Sequence, residues 1–315
     1  MKRALVVGVN DYHSSPLEGC VNDAHSIATV LESNGDGSPN LAVKRITSPS
    51  ALVTRASLRE AIEQLFAGKS DMAFFYFSGH GFIKSTGGYL VTPDAKKYDE
   101  GVSMEEILVL ANNSPATNKV IILDCCHSGA FGNPVQSGSA VALLSEGLSV
   151  LTASRDTEVA IEFDGSGMFT SLVLDALKGG AADLRGNITP GSIYAYVDEA
   201  LGAWDQRPIF KTNVTSFASI RKVQPKVPLD ILRRITTYFK SPEAEHGLDP
   251  SYEDTHPSAI LENTKIFKDL QKFCGVGLVV PTDEDHMYFA AINSKSCRLT
   301  ALGYQYWRLV NEKKL

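Results

Sequence analysis

The sequence lacks a long hydrophobic run: nowhere do about 18 or more apolar residues follow one another, the length that a membrane-spanning helix needs. The amino-terminal stretch MKRALVVGVNDY is interrupted by Asn10 and Asp11 before the apolar core of a signal peptide is complete. Internal repeats and low-complexity tracts are absent as well. The 315 residues, 43% of them hydrophobic, can bury a full core. We therefore expect a globular, cytoplasmic protein without a membrane partner, made of one large and one small domain.

Cysteine is scarce. The five cysteines are odd in number and show no repeated C-x-x-C spacing: Cys20, Cys125, Cys126, Cys274 and Cys297. This pattern argues against a secreted disulfide framework and against a structural zinc ribbon. We expect a protein of a reducing compartment that holds no structural metal and needs no cofactor.

An excess of positive charge is also missing. The chain has 30 Lys and Arg against 36 Asp and Glu, a formal net charge of −6. Twelve residues of each sign lie beyond Pro225, so the whole net charge belongs to the first 224 residues. Such a balance gives no general attraction to nucleic acid or anionic lipid.

Short apolar runs alternate with segments of helical spacing over the first 224 residues. The runs are RALVVGV (3–9), LAVKRI (41–46), MAFFYF (72–77), KVIILD (119–124) and LSVLTAS (148–154). The predicted helices are 20–35, 57–68, 103–113, 168–180 and 189–204, the last with Thr189 as N-cap and Pro190 in its first turn. Runs of this kind are typical of central strands in a parallel sheet. We predict an α/β domain with a mostly parallel sheet and helices on both faces.

Composition changes at KVQPKVPLD (222–230), where two prolines suit an exposed linker. We place one domain at 1–224 and a second at 228–315. The second is predicted to contain a helix at 229–240, an unassigned acidic stretch at 241–257, a helix at 262–275, a hairpin at 277–292 and a last helix at 298–314.

This order resembles a small α+β winged-helix module, a fold used for DNA binding and also for protein contact and sensing. Its hairpin tip would be the acidic PTDEDH (281–286), which repels phosphate. We expect a regulatory or partner-binding role and no nucleic-acid partner.

Two of the apolar runs are followed by residues whose side chains can take part in catalysis. FFYFSGHGF ends with Ser78, Gly79, His80 and Gly81, and VIILDCCHSG brings Asp124, Cys125, Cys126 and His127. If the two strands are neighbours, His80 can take the proton of a cysteine thiol, and the thiolate can attack a carbonyl. An isolated cysteine at a strand end is more often a buried apolar residue, and an isolated histidine more often structural. A metal site is disfavoured, because adjacent cysteines rarely both point at one ion.

Together these residues resemble the caspase-like (clan CD, peptidase C14) cysteine peptidases. SGHG precedes DCCHSG, and His80 and Cys126 are 46 residues apart. The D-x-C-H-S-G form resembles metacaspases and their prokaryotic relatives, and LEGCVNDA (17–24) is a third match. The resemblance implies that Cys126 is the nucleophile and His80 the base, with an oxyanion hole at Gly81 and Cys126. It leaves Cys125 at a variable position.

The resemblance also implies a specificity. Asp124 and Asp23 would line a primary pocket for Arg or Lys, with Cys20 and Ser78 at matching positions. An acidic residue such as Asp23 in a first helical turn is also favoured by the helix dipole. The further aspartates of calcium-activated metacaspases are incomplete here, with Asp94, then SMEEI, and Asn133. Calcium dependence is therefore doubtful.

These features predict a cysteine endopeptidase that cleaves protein substrates after Arg or Lys. The resemblance further suggests a switchable effector in stress or anti-phage defence, with a small nucleotide or a protein as activator at the second domain. The alternatives are a catalytically silent scaffold whose second domain binds a partner, and a DNA-binding regulator. The loop 127–147 contains neither Lys nor Arg, so we expect no self-cleavage there.

Overall fold

The structure is a computed structural model that describes residues 1–49, 53–84, 87–97, 99–125, 143–153, 162–163, 166–201 and 207–315. These residues form two compact units. The first comprises Met1–Asp183 and Asn187–Val223, and the second comprises Leu184–Gly186 and Gln224–Leu315. Within the described ranges, no helix is long and apolar enough to cross a membrane.

The first unit alternates strands and helices as the sequence predicts. Its strands are β1 (Lys2–Gly8), β2 (Leu41–Thr47), β3 (Met72–Ser78), β4 (Gly81–Lys84), β5 (Gly87–Lys96), β6 (Asp99–Ser103), β7 (Asn118–Asp124), β8 (Leu148–Thr152), β9 (Glu162–Phe163), β10 (Ser166–Gly167), β11 (Asn187–Ile188), β12 (Ile209–Asn213) and β13 (Arg221–Lys222). Its helices are α1 (Cys20–Glu32), α2 (Arg55–Ala67), α3 (Met104–Asn112), α4 (Met168–Asp175), which continues into a π-helical turn (Ala176–Gly180), and α5 (Pro190–Ala200).

The central sheet has the order β12-β8-β7-β3-β1-β2 within the described residues. Its strands are parallel except β12, which pairs antiparallel with β8 at one edge. Because side chains alternate along a strand, the sheet supplies two cores. Helices α2 and α3 cover one face and α1, α4 and α5 the other. The predicted α/β class, with a mostly parallel sheet and helices on both faces, is confirmed.

Local signals explain where two helices begin. Helix α5 starts as predicted, with Thr189 as N-cap and Pro190 in its first turn; the Thr189 side chain accepts a hydrogen bond from the Ser192 backbone in a capping box. Helix α2 has the same arrangement between Thr54 and Ser57. The small antiparallel sheet β4-β5-β6 was not predicted, and it follows directly after His80.

The second unit is a small α+β fold. It contains α6 (Leu229–Leu232), α7 (Ile235–Tyr238), β14 (Glu245–Gly247), a 3-10 turn (Pro250–Tyr252), α8 (Leu261–Gly275), β15 (Val279–Thr282), α9 (Met287–Ile292), β16 (Ser296–Leu299) and α10 (Ala301–Asn311). The sheet order is β14-β16-β15, and the unit has its own apolar core.

The predicted hairpin at 277–292 is wrong. Strand β15 pairs with β16, and residues 287–292 form helix α9 between them. Met287, Ala290 and Ala291 are buried at spacings of three and four residues, which is the period of a helix. The acidic PTDEDH segment therefore ends β15 and leads into α9. The winged-helix resemblance stays a prediction.

Candidate active site

The ends of β3 and β7 bring the two chemical motifs together. The strands pair in parallel with Ser78 opposite Asp124, and Ser78 also lies opposite Gly8 of β1. Just beyond the strand ends, the backbone N–H of Gly79 donates to the Asp124 carbonyl at 3.3 Å. The strand ends that precede His80 and Cys126 in the sequence therefore lie side by side.

His80 is held from three directions. Its backbone N–H donates to the Tyr12 hydroxyl at 3.0 Å, and the two rings lie 4.5 Å apart. The Tyr12 hydroxyl donates in turn to the Val91 carbonyl at 3.2 Å, and burial raises the pKa of this hydroxyl. The His80 Nε2 atom lies 2.7 Å from the Ser15 carbonyl. Because a carbonyl oxygen only accepts, Nε2 carries the proton, and Nδ1 is the basic nitrogen of the neutral ring.

Of the two adjacent cysteines, the structure describes only Cys125. Cys125 is 1% exposed and packs in the apolar core with Phe77 and Leu123. Its side chain lies on the opposite face of the strand from Asp124, as alternation requires. Cys126, the predicted nucleophile, lies outside the described residues, as do His127 and Asn133. Gly81 is half-buried at the start of β4, and its oxyanion role, shared with Cys126, stays a prediction.

Asp23 and Asp124 converge on one point. Asp23 is 2% exposed and Asp124 is 7% exposed. The Gly167 N–H donates to Asp23 Oδ2 at 3.1 Å, and the Thr170 hydroxyl donates to Asp124 Oδ2 at 2.5 Å. A Cβ atom on Gly167 would lie 2.6 Å from Asp124 Oδ2 and 3.5 Å from Asp23 Oδ2. The two predicted pocket carboxylates therefore meet beside a residue that has to be glycine.

Cys20 and Ser78 lie at the same edge of the sheet, and both are buried. A Cβ atom on Gly8 would lie 2.3 Å from the Cys20 carbonyl oxygen, so the start of α1 packs directly against the end of β1. Gly8 in turn lies opposite Ser78. The structure thus gathers the four predicted pocket residues where β1, β3 and β7 end.

A buried pair of hydroxyl groups supports this acidic site, and no sequence pattern predicts it. The Tyr76 and Thr170 hydroxyl oxygens lie 2.6 Å apart. Burial, together with the Asp124 and Asp23 carboxylates, raises the pKa of Tyr76 well above its ordinary value. Tyr76 therefore stays protonated and donates to Thr170, which donates to Asp124. Both residues sit in apolar stretches, where sequence reasoning assigns core packing.

Two acidic residues that bear on calcium have partners within the protein. Asp94 Oδ1 accepts a hydrogen bond from the Arg55 backbone N–H at 3.0 Å, at the start of α2. Glu106 pairs with Arg59 at 2.6 Å. Calcium dependence itself stays a prediction.

The chain matches the family model of the caspase domain (Peptidase_C14) over residues 1–219 and therefore belongs to this family of cysteine peptidases. It is 29% identical to Metacaspase-9 of Arabidopsis thaliana over 144 residues, which is 41% of this chain and 43% of that protein. It is 37% identical to Metacaspase-1 of Cryptococcus neoformans over 86 residues, 25% of this chain and 19% of that protein. The matches thus span less than half the length of these relatives.

Two solved structures also resemble this chain over about 70% of its length. The crystal structure of Caspase-1 from Spodoptera frugiperda aligns with a TM-score of 0.50 at 12% identity, covering 71% of this chain and 90% of that one. A protein of Geobacter sulfurreducens aligns with a TM-score of 0.51 at 19% identity, covering 70% and 96%. At such identities the likeness establishes the caspase-like fold.

Proposed function

We propose that this protein is a cysteine endopeptidase that cleaves polypeptides after Arg or Lys. The observation that carries the proposal is the buried pair of Asp23 and Asp124, which meets at the strand ends beside His80. Two carboxylates in a water-poor pocket can hold a guanidinium through several charge-assisted hydrogen bonds. They would repel an acidic side chain.

The proposed reaction uses the tautomer that Ser15 imposes on His80. His80 Nδ1 removes the thiol proton of Cys126, and the thiolate attacks the carbonyl carbon that follows the Arg or Lys side chain. The backbone N–H groups of Gly81 and Cys126 stabilise the oxyanion. The imidazolium then gives its proton to the leaving amine, and an acyl-enzyme remains.

Water completes the cycle. His80, now neutral again, takes a proton from a water molecule that attacks the acyl carbonyl. The C–S bond breaks, the new carboxyl terminus leaves, and the proton returns to Cys126. Every proton in this scheme moves through His80, so the reaction as proposed uses no metal and no cofactor.

Matched reporter peptides test the specificity. Peptides that differ only before the scissile bond, with Arg, Lys, the uncharged arginine isostere citrulline, or Asp, are compared by kcat/KM. We expect cleavage after Arg and Lys, and a loss of about tenfold or more for citrulline, since one unpaired buried charge is worth about 1.4 kcal/mol or more. Asp124→Asn should remove the preference for Arg over citrulline, whereas Asp175→Asn, at the exposed end of α4, should retain it. Preference for Asp would contradict the proposal.

The main alternative is a catalytically silent caspase-like scaffold. An active-site thiol probe separates the two, because only a peptidase gives a probe adduct that depends on both His80 and Cys126. A second unit with regulatory function, and a role as a switchable effector in defence, stay predictions that rest on the family resemblance.

A further inference from the structure

The strand pair β4-β5 would extend through His80 if its register continued. Gly81 lies opposite Leu90, so the next pair along the ladder is His80 and Val91. The Val91 N–H donates to the His80 carbonyl at 2.9 Å, which is one half of a hydrogen-bonded pair. In such a pair of an antiparallel sheet the two residues exchange two hydrogen bonds. The second bond would run from the His80 N–H to the Val91 carbonyl.

The Tyr12 hydroxyl takes the place of that second bond. It accepts from the His80 N–H at 3.0 Å and donates to the Val91 carbonyl at 3.2 Å. A direct bond would bring the amide nitrogen and the carbonyl oxygen to about 2.9 Å, whereas the inserted hydroxyl makes one hydrogen bond to each of them. Tyr12 therefore satisfies both backbone groups while it stands between them as a wedge.

The residue before His80 leaves room for this hydroxyl. A Cβ atom on Gly79 would lie 2.4 Å from the Tyr12 hydroxyl oxygen and 2.9 Å from the ring of Phe77. Gly79 is not one of the glycines with a positive φ, so the need for glycine comes from space and not from the backbone conformation. The missing side chain thus allows the wedge to reach the backbone of His80.

The loop that carries the wedge also orients the ring of His80. Ser15, three residues after Tyr12, places its carbonyl oxygen 2.7 Å from His80 Nε2. The side chain of Asn10 closes this loop, because its Nδ2 donates to the Glu18 carbonyl at 2.8 Å. One closed loop therefore holds the backbone of His80 through a hydroxyl and its ring through a carbonyl.

We propose that Tyr12 is a positioning residue for His80. Its hydroxyl keeps the backbone of His80 out of the β4-β5 ladder, and this keeps the imidazole on the Ser15 carbonyl. The inference rests on the proposed function, because it takes His80 as the base. Without the hydroxyl, His80 can pair directly with Val91, which satisfies both backbone groups but draws His80 toward β5 and away from Ser15. A displacement of about 1 Å can slow an enzymatic reaction about 100-fold.

Tyr12→Phe tests the wedge, because it removes the hydroxyl and keeps the ring. On an arginine reporter peptide, we expect kcat of the full-length protein to fall about 10–100-fold. KM should change less than about twofold, since Thr170 of α4, which holds Asp124, lies on the other face of the sheet from Tyr12. Tyr194→Phe, which removes the hydroxyl of a half-buried tyrosine in α5, should keep both constants. An unchanged kcat, or a rise confined to KM, overturns the positioning role.

A second measurement needs no catalysis. Nitrogen NMR of protein labelled with 15N-histidine shows which ring nitrogen of neutral His80 carries the proton, and the signals missing from His80→Gln identify this residue. The wild type should show the proton on Nε2, as the Ser15 carbonyl requires. Tyr12→Phe should show a mixture of the two tautomers. The same single tautomer in both proteins overturns the inference, whatever happens to kcat.

Gly79→Ala carries the test if Tyr12→Phe fails to fold. The added methyl group displaces the Tyr12 hydroxyl, so the same mixture of His80 tautomers is expected. A folded Gly79→Ala protein with the proton on Nε2 alone overturns the wedge. A wild-type protein that cleaves no arginine peptide, but whose His80 tautomer depends on Tyr12, would contradict only the proposed peptidase.

Discussion

At the scale of single residues, Cys125 is in the core because strand alternation extends one residue beyond β7. Cys125 is in the core and cannot reach a substrate without leaving it. We expect Cys125→Ala to stay active while losing about 1 kcal/mol of stability, the usual cost of a small core truncation. Cys126→Ala and His80→Ala should each abolish peptide hydrolysis while changing the free energy of unfolding by no more than about 1–2 kcal/mol. An inactive Cys125→Ala protein that still folds would reverse the assignment of the nucleophile.

Thr170 offers a test of how the acidic pocket is held. Its hydroxyl donates to Asp124 and accepts from Tyr76, so Thr170→Val removes a hydrogen bond to a buried carboxylate while keeping the shape. Such a bond is worth about 1.5 kcal/mol, and we expect the KM for arginine peptides to rise about tenfold with little change in kcat. Ser171→Ala, the next hydroxyl of α4, is the control. A loss confined to kcat would contradict this positioning role.

At the scale of elements, five of the six described strands of the central sheet were predicted to within one or two residues, and the edge strand β12 was not predicted. The runs of β3 and β8 are buried along their whole length, so their apolar composition marks them, whereas β2 is only partly buried. The hairpin assigned to 277–292 failed, because Tyr288 and Phe289 favour strands by residue type while the burial of Met287, Ala290 and Ala291 follows a helical period. Which side chains the core buries decided that this segment is a helix. That pattern of burial cannot be read from a segment of six residues.

The sheet β4-β5-β6 escaped prediction because its strands mix glycine, charge and proline, yet it forms the wall beside His80. One position fixes it: Gly101 has φ 136°, and a Cβ atom there would lie 2.1 Å from the Leu90 carbonyl oxygen. We expect Gly101→Ala to lower the melting temperature by the equivalent of about 2–4 kcal/mol.

Gly37 provides the matched control for that substitution. It also has a positive φ, of 82°, but open space surrounds the added methyl group. Gly37→Ala should therefore cost only about 1 kcal/mol, the strain of the backbone alone. Equal losses at the two positions would show that the contact with Leu90 does not matter.

How far the active site could be predicted also differs by element. The motifs around His80, Asp124 and Asp23 were readable because short sequence patterns carry them. Ser15, Gly167 and Thr170 were not, because a carbonyl oxygen, a missing Cβ atom and a buried hydroxyl act only through their place in the fold. The sequence thus shows which groups can react, and the packing shows how they are oriented.

At the scale of the whole molecule, we predict that the peptidase activity does not depend on calcium. Asp94 accepts a hydrogen bond at the start of α2 and Glu106 pairs with Arg59, so both are engaged within the protein. We expect millimolar chelator to change the peptidase activity less than about threefold. A tenfold loss that calcium restores would show that other oxygen ligands build a site.

Activation should leave the chain whole. The stretch 127–147 offers no Lys or Arg to an enzyme that cuts after basic residues. We therefore expect amino-terminal sequencing of fully active protein to show no cut between His127 and Gly147, and the trigger to act reversibly through the second unit. A new terminus within 128–148 would contradict either the reversible switch or the specificity.

The residues of the pocket that Gly167 and Thr170 complete are synthesised in a fixed order. Asp23 and Gly167 are 144 residues apart, and Thr170 comes later than either His80 or Cys126 along the chain. During synthesis, the reactive histidine and cysteine emerge from the ribosome before the helix that holds Asp124 in place. The proposed arginine pocket therefore cannot form on a nascent chain until α4 has been translated, and a chain that stopped between Cys126 and Gly167 would carry the proposed dyad without its specificity pocket.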